Sequence, residues 1–200
     1  IARYYTKRSA VICFEGGYHG RTLLTLSLTS KYALFKKGFG PYVSDVVRLP
    51  APNMYRKPVE FTDEAYVNYC IQQFETAMIA QIDPDSVAAI IIEPVQGEGG
   101  FIPMPKAFLQ KLRAVANAHG IVLIFDEIQC GASRTGKLFA CEHFDVVPDI
   151  ICMAKSIGAG MPISAITGRA TIIDAPHLGG VGGTYGGNPL ACVAAIEAMK

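Results

Sequence analysis

A mostly parallel α/β sheet flanked by helices is the fold class that this 200-residue sequence predicts. Two observations carry it. The fully apolar runs Ala10–Phe14, Val87–Ile92, Ile121–Phe125 and Ile150–Ala154 read as strands buried on both faces, as strands of parallel sheets are. Segments with helical periodicity lie between them, and that alternation is the pattern of stacked strand–helix–strand units. Ile163–Thr167 reads as one more strand.

Each element has a local reason. Residues 17–60, rich in Gly, Pro, Tyr and Lys, predict a long irregular excursion with short helical pieces. Thr62 suits a helix N-cap, because its hydroxyl can accept an orphan backbone amide, and Asp63 and Glu64 suit the positive first turn. That helix is expected to run to about Ala80, with Tyr66, Cys70, Phe74 and Met78 on one face. Pro105 fits the first position of a second helix, which Phe108, Leu109, Leu112, Val115 and Ala116 make apolar on one side. Gly120 can end it in a left-handed turn. The chain opens on Ile1-Ala2-Arg3 and closes inside a helix-like run at Ala191–Lys200, so it is expected to be a segment of a longer protein.

Composition narrows the function classes. Half of the residues are hydrophobic and 18% are charged, which is enough apolar material for a large core and too little charge for a disordered chain. The formal charge of +1 offers no basic stripe for nucleic acid. No apolar run approaches the ~18 residues of a membrane span. None of the six cysteines stands in a C-x-x-C pair, so no metal site is expected. Free thiols and the absence of a signal peptide place the chain in a reducing, cytoplasmic compartment by expectation.

In parallel sheets, ligands bind beyond the carboxyl ends of the strands. Glu93 follows the run 87–92, Asp126 and Glu127 follow 121–125, and Lys155 follows 150–154. One such charge is ordinarily a solvated loop residue, but three strand ends in succession favour a shared site. A lysine at an apolar strand end suits Schiff-base chemistry, since a desolvated cleft favours the neutral, nucleophilic amine. An aspartate on a neighbouring strand can hold a pyridinium nitrogen protonated, and Lys plus Asp is the pattern of pyridoxal-phosphate sites. A rival pattern fails: Gly131–Leu138 nearly spells a nucleotide phosphate loop, but Leu138 stands where a magnesium-binding Ser or Thr is required.

Five segments together resemble the large domain of class III aminotransferases, most closely the 4-aminobutyrate aminotransferase branch. They are Tyr18-His19-Gly20-Arg21-Thr22, Glu93–Gly100, Asp126-Glu127-Ile128-Gln129, Ala154-Lys155-Ser156 and Gly183–Pro189, in family order. The resemblance implies a pyridoxal-phosphate transferase of fold type I, with residues 1–200 as the central part of its cofactor-binding domain. An upstream phosphate loop and a C-terminal small domain would lie outside the chain. It further implies that Lys155 is the Schiff-base lysine and proton carrier, and that Asp126 pairs with the pyridine nitrogen. Gln129 would face the phenolic oxygen, and Ile128 and Tyr18 would pack on the two ring faces.

On the same basis Arg21 takes a substrate carboxylate, Glu93 lies near the substrate amine or cofactor, and Glu98 acts as a switch paired with a distant arginine. Thr184 reaches the phosphate of the partner's cofactor, so a homodimer with composite sites is expected. His19 reads as structural, with a direct catalytic role as the alternative, and Glu127 and Arg134 read as structural. The implied reaction is transamination of an ω-amino acid such as 4-aminobutyrate with 2-oxoglutarate. Acetylornithine, ornithine or 5-aminovalerate as donor, and a non-catalytic fragment, are the alternatives.

Overall fold

Alternate side chains of a strand face opposite sides of its sheet, and here both sides are apolar. The computed structural model, which describes residues 1–200, shows what covers them. Its elements in chain order are α1 (Ala2–Thr6), β1 (Ala10–Phe14), α2 (Leu23–Leu28), β2 (Val46–Leu49), α3 (Asp63–Ala80) and β3 (Val87–Ile92). There follow the short strands β4 (Val95–Gln96) and β5 (Ile102–Pro103), α4 (Lys106–His119), β6 (Val122–Asp126), β7 (Ile150–Met153), β8 (Ala165–Gly168), α5 (Ala170–Ile173) and α6 (Pro189–Ala198).

Six strands form one sheet in the order β2-β1-β3-β6-β7-β8. All neighbours are parallel except β7 and β8, which run antiparallel. β4 and β5 make a separate two-stranded hairpin. Ile12, Phe14, Ile90, Ile92, Leu123 and Phe125 join the larger core, against Phe74 and Met78 of α3 and Phe108 and Leu112 of α4. The intervening residues Val11, Cys13, Ala89, Ile91 and Val122 join a smaller core with Ala2, Leu28 and Ile172 from the short helices α1, α2 and α5. No helix is long and apolar enough to cross a membrane.

The helix signals act as their chemistry requires. The Thr62 hydroxyl accepts from the Ala65 amide at 3.2 Å, and Gly120 ends α4 at φ 64°. Pro105 stands one residue before α4 rather than within it, where its carbonyl accepts from Phe108 and Leu109. Two elements depart from expectation. β2 lies inside the stretch read as irregular: it is a four-residue edge strand containing Arg48, too short for its periodicity to stand out. The last strand is β8 at 165–168 and is mostly exposed, because within residues 1–200 it has a neighbour, β7, on one side only.

A buried carboxylate ties the amino-terminal end of β7 to its neighbours. Asp149 is 3% exposed. It accepts from Arg113 of α4 at 2.8 Å, from the Leu123 amide at 2.8 Å, and from Arg169 at 3.1 Å. Removing one member of a buried ion pair strands the other, at a cost of about 3–5 kcal/mol. Asp149→Ala should lower the unfolding free energy in urea by about that amount. Arg169→Ala, whose guanidinium is exposed, should cost under about 1 kcal/mol.

Candidate functional site

Adjacent parallel strands deliver their carboxyl ends to one edge of the sheet, and β3, β6 and β7 are adjacent. That edge carries Glu93 one residue past β3, Asp126 at the end of β6, and Lys155 two residues past β7. A cavity of about 170 Å³ lies over it, lined by Tyr18, Glu93, Asp126, Ile128, Gln129 and Lys155 together with His19 and Gly20. Six of the nine site residues expected from sequence therefore line one cavity. A second cavity of about 470 Å³ shares Gln129 and Lys155 with it and adds Gly97, Phe101, Arg134 and Ser156.

Asp126 is 4% exposed and is held from two sides. Its Oδ2 lies 2.8 Å from Nδ1 of His19, the donor to the carboxylate, and its Oδ1 accepts from the Ile128 amide at 3.2 Å. The His19 ring is itself buried, and a Cβ on Gly17 would come within 3.1 Å of its Nε2, so the glycine gives the imidazole its room. Glu93 is equally buried. Its Oε1 accepts from the Tyr18 amide at 2.7 Å and its Oε2 from the Gly97 amide at 2.9 Å. One oxygen of Glu93 thus holds the Tyr18 wall of this cavity, and the other holds Gly97, which lines the neighbouring cavity. Burial pushes its carboxyl above the usual glutamate value, and the two amides and His19 pull partly back.

Lys155 opens a short helical turn with φ 49°, a left-handed conformation unusual for a side chain larger than glycine. Such strain costs about 1–3 kcal/mol and gathers at functional positions. Its Nζ lies 3.4 Å from Oε1 of Gln129, and the Gln129 amide in turn occupies the space that a Cβ on Gly97 would need. Lys155 is exposed at the cavity rim, so residues 1–200 do not build the desolvated cleft expected for it. Next to it, the Ser156 hydroxyl accepts from Nε of Arg134 at 2.8 Å.

Three expected residues lie away from this cavity. Arg21 is exposed, with its guanidinium 5.0 Å from the centre of the Phe35 ring. That ring packs edge-on against Tyr18 at 5.1 Å, which keeps Arg21 one ring away from the wall. Glu98 is exposed on the turn between β4 and β5, where its carbonyl accepts from Lys31. Thr184 lies in the stretch 179–190, every residue of which is exposed.

The family model for class-III aminotransferases matches residues 1–200. The chain belongs to the class III aminotransferase family. It is 50% identical to the probable 4-aminobutyrate aminotransferase of Bacillus subtilis and 48% identical to the 4-aminobutyrate aminotransferase of Escherichia coli. It is 47% identical to the 5-aminovalerate aminotransferase of Pseudomonas aeruginosa. All of this chain is covered in each comparison, and 45–46% of the relative, so the chain spans about half the length of the curated proteins it matches.

Among solved structures, an (S)-enantioselective omega-transaminase from Thermomicrobium roseum aligns with a TM-score of 0.92 at 34% identity. It covers 99% of this chain and 46% of that one. An amine transaminase from an uncultivated Pseudomonas species, solved in a PLP-bound form, aligns at 0.91 and 33%. The aminotransferase chain thus has the transaminase fold over nearly its whole length.

Sequence reasoning left His19 between a structural and a direct catalytic role, and the aminotransferase fold makes it the partner of Asp126 from 107 positions away. Its place beside Tyr18 was the available signal, but nothing local says where its ring goes. Glu127 is structural, as expected: it is 1% exposed and accepts from the Ala140 and Cys141 amides at 2.6 and 2.8 Å.

The raised carboxyl of Glu93 has a consequence for pH. A group whose folded-state pKa is raised contributes stability below its unfolded value and loses it as pH rises through the folded value. Glu93→Gln keeps the shape and stays neutral. The stability of the native protein relative to this variant should therefore fall as pH rises from below the ordinary glutamate range to above the raised value. Urea unfolding across that window tests it; a gap that is constant or grows with pH would contradict the assignment.

Proposed function

We propose that the protein carries out pyridoxal-phosphate-dependent transamination, moving the amino group of an ω-amino acid such as 4-aminobutyrate to 2-oxoglutarate. The products would be a semialdehyde and glutamate. The observation that carries this reading is Lys155 and Asp126 in one cavity, at adjacent strand ends, with Tyr18, Ile128 and Gln129 around them. The donor set fits the cofactor. Asp126 uses two of its acceptor positions on His19 and Ile128 and keeps capacity for a ring N–H. Tyr18 and Ile128 offer a ring and an aliphatic face, and Gln129 a polar edge.

When bound, pyridoxal phosphate supplies an aldehyde for condensation with amines and a ring that takes up an electron pair. The rest falls to the chain. Asp126 holds a proton at the ring nitrogen, and His19 keeps the Asp126 carboxylate oriented. Lys155 moves a proton at Nζ to and from the carbon beside the substrate nitrogen, and Gln129 orients that amine. Glu93 fixes the Tyr18 and Gly97 walls. Arg21 receives the substrate carboxylate, for which a forked guanidinium is suited, and Glu98 is the switch that lets one pocket take both substrates.

We further assign Thr184 to the phosphate of a partner subunit's cofactor. Its place on a fully exposed, glycine-rich stretch supports service to a second copy in a homodimer. Residues 1–200 are then the central part of the cofactor-binding domain. Six unpaired cysteines support a reducing, cytoplasmic setting; burial pushes the Cys130 and Cys152 thiols up to about 12. A 5-aminovalerate donor is the second reading, favoured by a relative of that name at almost the same identity.

The holoenzyme should carry a visible cofactor absorbance that Lys155→Ala abolishes, with activity reduced by about 10²–10⁴-fold or more. A native protein that stays colourless with added cofactor would refute the assignment. Rates with 4-aminobutyrate, 5-aminovalerate, ornithine and acetylornithine rank the donors. His19→Ala removes a hydrogen bond to a charged group, worth about 1.5–3 kcal/mol. The dissociation constant for pyridoxal phosphate should therefore rise about 10–100-fold by spectral titration.

A further inference from the structure

A cavity of about 660 Å³ lies between the turn Asn53–Arg56 and the β4–β5 hairpin, away from Asp126. Asn53 and Tyr55 line one side and Gly99–Pro103 the other, and Arg56 is the only charged residue among the lining. The turn is fixed: the Asn53 side chain accepts from the Arg56 amide at 3.1 Å, and the Asn53 amide donates to the Tyr66 hydroxyl at 3.4 Å. The Arg56 guanidinium itself has neither an ion pair nor a hydrogen bond within the chain.

Phe101 is the one residue that lines both this cavity and the 470 Å³ cavity at Lys155. Within residues 1–200 its side chain is 73% exposed and joins neither core. Its backbone is in the left-handed region at φ 55°, after Gly100 at φ 127°. A phenyl ring on a conformation that disfavours side chains, placed where the two cavities meet, points to a role at the site.

We propose that Phe101 determines the length of the amino donor. Its ring closes the Lys155 cavity against the outer one, so short ω-amino carboxylates are held on the Lys155 side. Arg56 beyond it is a carboxylate subsite for donors too long for the inner cavity, reached when the ring is removed. The proposal rests on the reading of the site as one for ω-amino acids and adds what limits their length. The physics is that of any apolar partition: a ring that fills space excludes longer chains by overlap, and each extra methylene it admits contributes favourably once there is room.

The test uses the full chain as holoenzyme, with Phe101→Leu, Phe101→Ala and the double variant Phe101→Ala/Arg56→Gln. The quantity read is kcat/KM for 8-aminooctanoate relative to 4-aminobutyrate. Phe101→Ala should raise the ratio at least about tenfold, Phe101→Leu by less, and the double variant should lose the gain.

Calorimetric dissociation constants of octanoate relative to butyrate, which do not react, should shift the same way. An unchanged ratio, or all donors falling together, would overturn the role of Phe101. A gain retained in the double variant would overturn that of Arg56. If the coloured native holoenzyme turns over no ω-amino acid, the reading of the reaction fails separately, and the two carboxylates still report whether the ring limits length.

Discussion

A buried carboxylate has to be satisfied, and the site is organised around how three of them are. Glu93, Asp126 and Glu127 stand at the ends of adjacent strands with 5%, 4% and 1% exposure. Glu93 and Glu127 each commit both oxygens to main-chain amides, which fixes loops: Tyr18 and Gly97 in one case, Ala140 and Cys141 in the other. Asp126 alone meets a side chain, His19, and faces the cavity with acceptor capacity left over. The same chemical need therefore yields two structural ties and one acid that faces the cavity, and the difference lies in what each acid finds opposite it.

That arrangement depends on the sheet. β3, β6 and β7 are parallel and in register, so residues far apart in sequence arrive at one edge, and Phe125 pairs with Ile151 while Asp126 pairs with Cys152. The apolar faces on both sides keep those strands rigid, with the long helices α3 and α4 on one and the short α1, α2 and α5 on the other. The strained turn at Lys155 leaves this rigid platform directly. A left-handed lysine persists only where its surroundings hold it, and the hydrogen bond of Arg134 to Ser156 is one such restraint.

Much of this was legible in the residues. Continuous apolar runs mark strands because a strand covered on both faces has no polar side to show, and all four of the principal ones lie in the sheet within a residue or two of their expected limits. Thr62 and Gly120 marked helix ends because capping is local chemistry. β2 was illegible, since four residues containing an arginine carry almost no period. The exposure of β8 was illegible too, because apolarity alone does not tell an edge from a centre.

The sequence by itself determined the chemistry and its order along the chain: a lysine, an aspartate and a glutamate after three apolar strands, and the motifs of the class III aminotransferases. These are carried by residue type and spacing, which need no third dimension. Only the tertiary structure decided who meets whom. It joined His19 to Asp126, gave the oxygens of Glu93 to two loop amides, held Arg21 on Phe35 beyond the cavity wall, and set Phe101 between two cavities. Those outcomes are long-range pairings settled by packing and by the need to satisfy buried polar groups, and neither leaves a mark in local sequence.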